Sequence, residues 1–375
     1  MPFTATLLSR ISEVSEAEWD ALIPGGLHPF LSWRFLHALE ASGCATEATG
    51  WGPRHLWLTD GDTPVGAAPL YAKTHSQGEY VFDHSWADAY YRADGEYYPK
   101  LQCSVPFTPA TGPRLLAQSE EAKLALLSGM VQLTEESGLS SAHLTFLSDA
   151  DRKVCEDAGL LIREDRQFHF IDRDYGDFEG FLASLSSRKR KNIRKEREKA
   201  QAGVRILRLR GDDLKPHHWD VFYRCYVDTG ARKWGRPYLN REFFARIHES
   251  MAEDILLVMA EMDGELVAGA LNFIGSDALY GRNWGALVHK PFLHFELCYY
   301  QAIEAGLELG VPRVEAGAQG EHKLARGYEP VVTTSAHYLA HPGLRDAVGD
   351  FLAHERRAVE REVEALADYT PFRKG

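Results

Sequence analysis

One pattern occurs twice in this chain and narrows its possible folds more than any other feature: strand, Asp-Gly turn, strand, further strand, helix, strand. In the first half His55-Leu-Trp-Leu-Thr59 precedes Asp60-Gly61 and the run from Val65 to Tyr71; in the second, Ile255 to Ala260 precedes Asp263-Gly264 and the run from Leu266 to Ile274. Apolar runs flanking an Asp-Gly pair predict β-hairpins. Val65-Gly-Ala-Ala is answered by Val267-Ala-Gly-Ala, and a strand-like stretch follows each hairpin, Glu79 to Trp86 and Ala278 to Trp284. Helical spacing then runs from Glu120 to Ser137 and from Phe295 to Leu309, and strands are expected at Ala142 to Leu147 and Arg313 to Ala316. Duplication of one α/β (α+β) module explains this order, with a mixed, mainly antiparallel sheet flanked by helices. The alternative is that such an order, being common, arises here by chance. The expected boundaries are 1–165 for the first module and 166–343 for the second, which includes a basic helix at 186–200. A C-terminal amphipathic helix, 344–375, is expected to pack on the body.

With 375 residues, 45% of them hydrophobic, the chain is long enough for two or three packed cores. Its five cysteines, Cys44, Cys103, Cys155, Cys225 and Cys298, are scattered and read as reduced, mostly buried thiols; no metal site is expected. Neither a leader peptide nor an apolar run of about 20 residues is found, so the expected compartment is the cytoplasm, without membrane insertion. A net charge of -12 opposes general affinity for nucleic acid unless cations are concentrated locally. They are concentrated between Arg188 and Lys199, where eight cations meet only Glu196 and Glu198. This stretch reads either as a solvated linker helix capped by Ser186 or Ser187, or as a site for phosphate groups on a nucleotide substrate or transfer RNA, carried by residues such as Arg190, Arg194 and Arg197.

The strongest local signal is Glu315-Ala-Gly-Ala-Gln-Gly-Glu-His-Lys-Leu-Ala-Arg-Gly-Tyr-Glu-Pro330. Glycines after a strand allow close backbone approach, and Glu321, His322, Lys323 and Arg326 supply a base and cations beside them. Lys323 can neutralise an oxyanion or a phosphate, and Glu321 or His322 can take a proton from an amine. A purely structural reading stays open, in which Glu321 pairs with Arg326 and Gly327 ends a helix. Strand exits supply further candidates. Arg282 and Trp284, with Glu296 beyond them, belong to the second copy; Asp83, His84, Trp86, Tyr98 and Lys100 belong to the first. Motifs for a nucleophile elbow, a phosphate-binding P-loop, a zinc protease or a dinucleotide fold are absent from the sequence.

These segments together resemble the bacterial FemAB-like family, described as peptidoglycan biosynthesis/recognition proteins or predicted N-acyltransferases of the GNAT superfamily. The resemblance rests on Asp83-His-Ser-Trp-Ala-Asp-Ala-Tyr90, Tyr98-Pro-Lys100 to Pro106-Phe-Thr-Pro109, Ser187 to Lys195, Leu293 to Tyr300 and Gly320 to Pro330. It implies two tandem GNAT-like modules and transfer of an acyl or aminoacyl group to an amine of a cell-wall precursor. Lys323 is implied at the reacting centre, assisted in proton removal by Glu321, His322 or Glu296, with Gln319 and Arg326 among the substrate-binding residues. No bound cofactor is expected; the donor is aminoacyl-tRNA, with tRNA as carrier, or acyl-CoA. The place where GNAT enzymes hold the coenzyme A pyrophosphate on glycine amides reads Val288-His-Lys-Pro-Phe-Leu-His294, without glycine. A long helical arm between modules is not evident beyond the basic stretch. The alternatives are a CoA-dependent N-acetyltransferase, and a non-catalytic module that recognises tRNA or a phosphorylated cell-wall intermediate. Comparison of the copies further predicts that the first mainly recognises and the second mainly reacts.

Overall fold

A computed structural model describes residues 3–26, 28–233, 237–317, 320–367 and 369–373, without the side chains of residues 233, 321 and 367. The chain forms two compact units, residues 1–165 with 332–361, and residues 166–331 with 362–375. Up to residue 165 the strands are β1 (Thr4–Leu8), β2 (Trp51–Pro53), β3 (His55–Asp60), β4 (Thr63–Ala68), β5 (Leu70–Lys73), β6 (Lys100–Cys103), β7 (Ser141–Leu144) and the start of β8 (Leu161–Ile171). Helices α1 (Glu16–Asp20), α2 (Trp33–Ala41), α3 (His84–Arg92), α4 (Glu120–Glu136) and α5 (Asp149–Asp157) lie among them. Then follow α6 (Phe178–Ser184), α7 (Ser187–Gln201), β9 (Arg205–Leu209), α8 (Pro216–Lys233), α9 (Arg241–Met251), β10 (Ile255–Met262), β11 (Glu265–Ile274), β12 (Ala278–Ala286), α10 (Leu293–Phe295), α11 (Gln301–Leu309) and β13 (Arg313–Glu315). The last long elements are β14 (Glu329–Leu339) and α12 (Pro342–Ala367).

The two units repeat one pairing scheme. In the first, β5 is antiparallel to β6, β6 parallel to β7, and β7 antiparallel to β14. In the second, β11 is antiparallel to β12, β12 parallel to β13, and β13 antiparallel to β8. Both Asp-Gly hairpins form, β3 with β4 and β10 with β11. By sequence order β8 ends the first copy and β14 the second, yet residues 169–171 of β8 pair within the second unit and residues 336–339 of β14 within the first. The expected second module, 166–343, therefore gives up its last strand, because Ala336 to Leu339 take their partners from Leu144 to Ser141.

Another expectation is corrected at Glu79 to Trp86. The strand corresponding to β12 is β6, while residues from His84 onward form α3, with Trp86 and Ala87 buried and Tyr90 packed against them. The aromatic spacing taken there for a strand is the inward face of a helix. Each unit has its own core, Leu101, Leu126, Met130 and Leu144 being typical of the first, and Val258, Leu279, Leu297 and Ile303 of the second. A further cluster joins Trp86 and Tyr97 to Leu344, Val348 and Leu352 on the inner face of α12. Four cysteines are buried and Cys298 partly so, all as free thiols.

Candidate active site

In the second unit the parallel strands β12 and β13 pair only over three residues, ending at Tyr280 opposite Glu315. Beyond Gly281 and Ala316 they part. A Cβ on Gly281 would lie 3.1 Å from the Glu315 carbonyl oxygen, so the residue beside the fork has little room for a side chain. The pairing of β12 with β11 slips at the same place: Gly281 faces Asn272 and Asn283 faces Leu271, leaving Arg282 as the extra residue of a bulge. Such a bulge redirects side chains. The result is a pocket of about 120 Å³ with Asn272, Arg282, Asn283 and Trp284 on the strands. Cys298 and Tyr299 complete it from a single π-turn, Glu296–Tyr300, that interrupts the helix between α10 and α11.

A second cavity of about 260 Å³ adjoins it, bounded by Val288, His289, Lys290 and Phe292 and, from α8, Thr229 and Arg232. Trp284 and His294 line both spaces, with ring centroids 4.8 Å apart. At its base the backbone of Ala286 is already occupied: its N–H donates to Thr229 Oγ1 at 3.1 Å, and its carbonyl accepts from Arg232 Nη2 at 2.7 Å.

Lys323, in the short helical segment Glu321–Arg326, is 1% exposed and does not itself line the pocket; it meets the wall through Cys298 and through Gly317, next to Ala316. Its ammonium donates to the Gly317 carbonyl at 2.7 Å and has no carboxylate within ion-pair distance among the described residues. Burial therefore pulls its pKa down to about 7, with Cys298 opposing part of the shift. His322 Nε2 is 2.8 Å from the Tyr299 hydroxyl, which ties this segment to the pocket wall. Arg326 turns the other way: it stacks 3.4 Å from the Phe295 ring centroid and binds both oxygens of Glu196 on α7 at 3.0 Å. Gln319 lies outside the described residues, as does the side chain of Glu321.

Glu296, expected to help remove a proton, is fully buried on the α7 side of its helix. It accepts from Arg197 Nη2 at 3.0 Å, Arg197 Nε at 3.1 Å, Gln201 at 2.9 Å and Gln301 at 2.7 Å. That engagement also takes Arg197 away from any phosphate, since its other bonds go to Glu304. Arg194 pairs with Glu179, leaving Arg190 as the one of the three expected phosphate ligands without a carboxylate partner among the described residues.

One residue escaped the sequence reading. Glu315, the last residue of β13, is buried, and burial pushes its carboxyl up to about 7 although Arg313 donates to it at 3.0 Å. His169 Nε2 lies 3.8 Å from it and is held down to about 3 by burial, with Arg313 and Lys323 adding to the shift. Glu315 opened the glycine-rich segment in the sequence, but its position marked it only as a strand end.

The first unit buries Asp83, Trp86 and Lys100 and half-buries Tyr98. Lys100 is fully buried and donates to Asp83 at 2.5 Å and to Ser76 and Glu79 at 2.8 Å each. Tyr97 donates to Asp83 at 2.6 Å, and the Tyr98 hydroxyl is 2.7 Å from Ser76 Oγ. Burial would raise the Asp83 carboxyl, but Lys100 and His143 overcome it and hold the group below its usual range. One face of the sheet carries Tyr71, Gln102, His143 and His337 in register across β5, β6, β7 and β14. The two histidines approach at 2.7 Å through Nδ1, so one must donate and the other accept. Asp83, His84, Trp86, Tyr98 and Lys100 were expected to line a substrate pocket; Asp83 and Lys100 are buried and bonded to each other, Tyr98 is half-buried on Ser76, and together they fasten the segment between β5 and β6 onto the sheet, while Trp86 packs against α12. His84 alone of the five is exposed, stacked beside Phe82 with ring centroids 5.9 Å apart.

Two modules of mixed sheet and helix, one opened by a strand fork, define a GNAT-like tandem fold. The profile of the FemAB-like family, described as peptidoglycan biosynthesis/recognition, matches residues 10–374, and the chain belongs to that family. Solved structures share the fold at low identity. FemX is 12% identical, covering 93% of this chain and 100% of its own, with a TM-score of 0.57. A conserved protein of unknown function from Bacteroides thetaiotaomicron is 10% identical over 89% and 99%, with a TM-score of 0.52. L-PGS from Bacillus licheniformis is 10% identical over 84% and 95%, with a TM-score of 0.50. No curated protein matches the chain. Among the described residues no helix is long and apolar enough to cross a membrane, and no group of His, Cys, Asp and Glu is arranged to hold a metal ion.

Proposed function

We propose that this protein is a cytoplasmic N-acyltransferase that moves an aminoacyl or acyl group onto an amine of a cell-wall precursor or another small amine acceptor. The observation that carries this reading is Lys323: a buried ammonium without a carboxylate partner among the described residues, against the wall of a pocket opened by a strand fork. Perturbed ionisable groups beside a cleft mark reacting centres. In the reaction the amine nitrogen attacks the carbonyl carbon of the donor, the C–N bond forms, and negative charge gathers on the carbonyl oxygen. Protonated Lys323 stabilises that oxyanion, and Arg282 and Asn283 orient the substrate from the pocket wall. His322, held by Tyr299, takes the proton from the attacking nitrogen, and the donor's oxygen or sulfur leaves with the bond electrons.

Between the two donors an aminoacyl ester on tRNA fits better than acyl-CoA. The loop where a pyrophosphate would sit has no glycine, Pro291 lacks an N–H, and the N–H of Leu293 is directed to the Lys290 carbonyl at 3.3 Å. The test is transfer to a cell-wall precursor or other amine by purified protein. Lys323→Ala should lower kcat roughly 100-fold or more. Since only the ammonium form stabilises the oxyanion, this contribution should fade as pH rises through about 7. In Lys323→Arg the charge persists, so that loss near pH 7 should vanish. Wild-type rates in Lys323→Ala would overturn the assignment and leave the recognition role as the reading.

A further inference from the structure

Helix α7 is electrostatically at odds with itself. Its first turn holds no acidic residue but carries Arg188, Lys189 and Arg190, with Lys191 next, at the end where the helix dipole disfavours cations, and Ser186 provides no side-chain cap. Farther along, Lys191, Lys195 and Lys199 stand four residues apart, a spacing at which like charges repel. At about 100° per residue, Arg188, Lys191, Lys195 and Lys199 fall within roughly 80° of arc and span roughly 16 Å. All four are exposed, and none has a carboxylate partner among the described residues. Elsewhere in the second unit arginines are repeatedly paired, as in Arg173 with Glu329, Arg205 with Glu261, Arg208 with Glu304 and Arg313 with Asp277. A cationic stripe left open in a chain of net charge -12 calls for an anionic partner.

The surroundings select the partner. Beside the C-terminal end of α7 lies the loop of residues 287–292, tied there by Lys290 Nζ, which donates to the Ala202 carbonyl at 2.7 Å. Lys199 Nζ stands 5.9 Å from the centroid of the Phe292 ring. The loop exposes Leu287 (42%) and Pro291. Cations in a row beside an exposed apolar tip suit an anionic bilayer, which attracts the charges and accepts the apolar groups at its headgroup boundary. Single-stranded RNA would favour a row of exposed aromatic faces for its bases; α7 has none, and the ring of Phe292 in the loop is only half-exposed.

We propose that α7 and the loop of residues 287–292 form a docking surface for an anionic lipid bilayer, which places the mouth of the larger cavity at the membrane surface. This does not depend on the transfer chemistry. Co-sedimentation of the full chain with vesicles tests it, using phosphatidylcholine alone and phosphatidylcholine with about one-third phosphatidylglycerol. Wild type should pellet with the anionic vesicles only, and be released near 0.5 M salt, where screening is nearly complete over about 5 Å. Each surface cation is worth about fivefold, so Arg188→Gln, Lys191→Gln, Lys195→Gln and Lys199→Gln combined should weaken binding by roughly 100-fold or more. The thermal unfolding transition of this exposed-site variant should be preserved. Leu287→Asp should weaken binding several-fold without touching the stripe. Failure of wild type to bind anionic vesicles, equal binding to both vesicle types, or an unaffected fourfold variant would overturn the proposal. So would stripe-dependent binding of a labelled single-stranded RNA without vesicle binding.

Discussion

Burying a lysine without a counter-charge is unfavourable, and Lys323 makes the penalty measurable. Its folded pKa of about 7 lies below the value near 10.4 of an unfolded lysine, so the unfolded chain binds this proton more tightly. Stability should rise as pH climbs from about 7 towards 10, and the penalty of about 5 kcal/mol is fully present below pH 7. Lys323→Met should therefore raise the unfolding midpoint at pH 6, gain little at pH 10, and abolish transfer, as read by denaturant titration beside activity. A residue retained for packing would behave in the opposite way. Lys323 was a candidate in the sequence as a cation beside glycines after a strand, but its burial without a carboxylate partner among the described residues was not legible there. Glu315 was not a candidate, because nothing in a linear pattern says that two parallel strands separate immediately after it. Lys100 misled in the reverse sense. A lysine among tyrosines looks like a pocket lining, and only the convergence of Ser76, Glu79 and Asp83 reveals a buried structural pair.

At the scale of elements, α7 shows how an unpromising helix is held in place. Only Ile193 and Ala200 are buried apolar contacts, which contribute roughly 2–3 kcal/mol together. The rest of its anchoring is polar: Arg197 on Glu296 and Glu304, and Glu196 on Arg326 and Tyr300. Removing the Glu296 charge leaves Arg197 partly buried and incompletely paired, so Glu296→Gln should destabilise the protein by about 3 kcal/mol in chemical denaturation. The same variant should keep near-wild-type kcat at temperatures where it remains folded, because Glu296 does not face the pocket. Helices α4, α7, α11 and α12 and both hairpins were legible in the sequence, since period and turn chemistry are local properties, whereas the 18 residues of α8 drew no helix expectation. α3 was not. Its nine residues are shorter than the window over which a 3.6-residue period declares itself, and its aromatics suited either assignment.

For the molecule as a whole, the boundary at residue 165 is a poor place to cut. Residues 1–165 lack β14, which pairs with β7, and α12, whose Leu344, Val348 and Leu352 cover Trp86 and Tyr97. A fragment of residues 1–165 should therefore show no cooperative thermal transition and be digested rapidly by protease, while the intact chain resists. The number of modules was readable from the repeat, but the ownership of the last strand in each was not, because pairing across about 145 residues for β8 with β13 and about 195 for β7 with β14 leaves no local trace. That exchange also says something about ancestry. In a one-module forebear, a terminal strand lent outward needs a second chain to receive it, so the same arrangement would have been a swapped homodimer, present only above a threshold concentration. Joining the two genes end to end turns that encounter into an intramolecular event. It also frees each copy to change alone, so that one could keep the forked strands while the other filled its interior with lysines, histidines and acids.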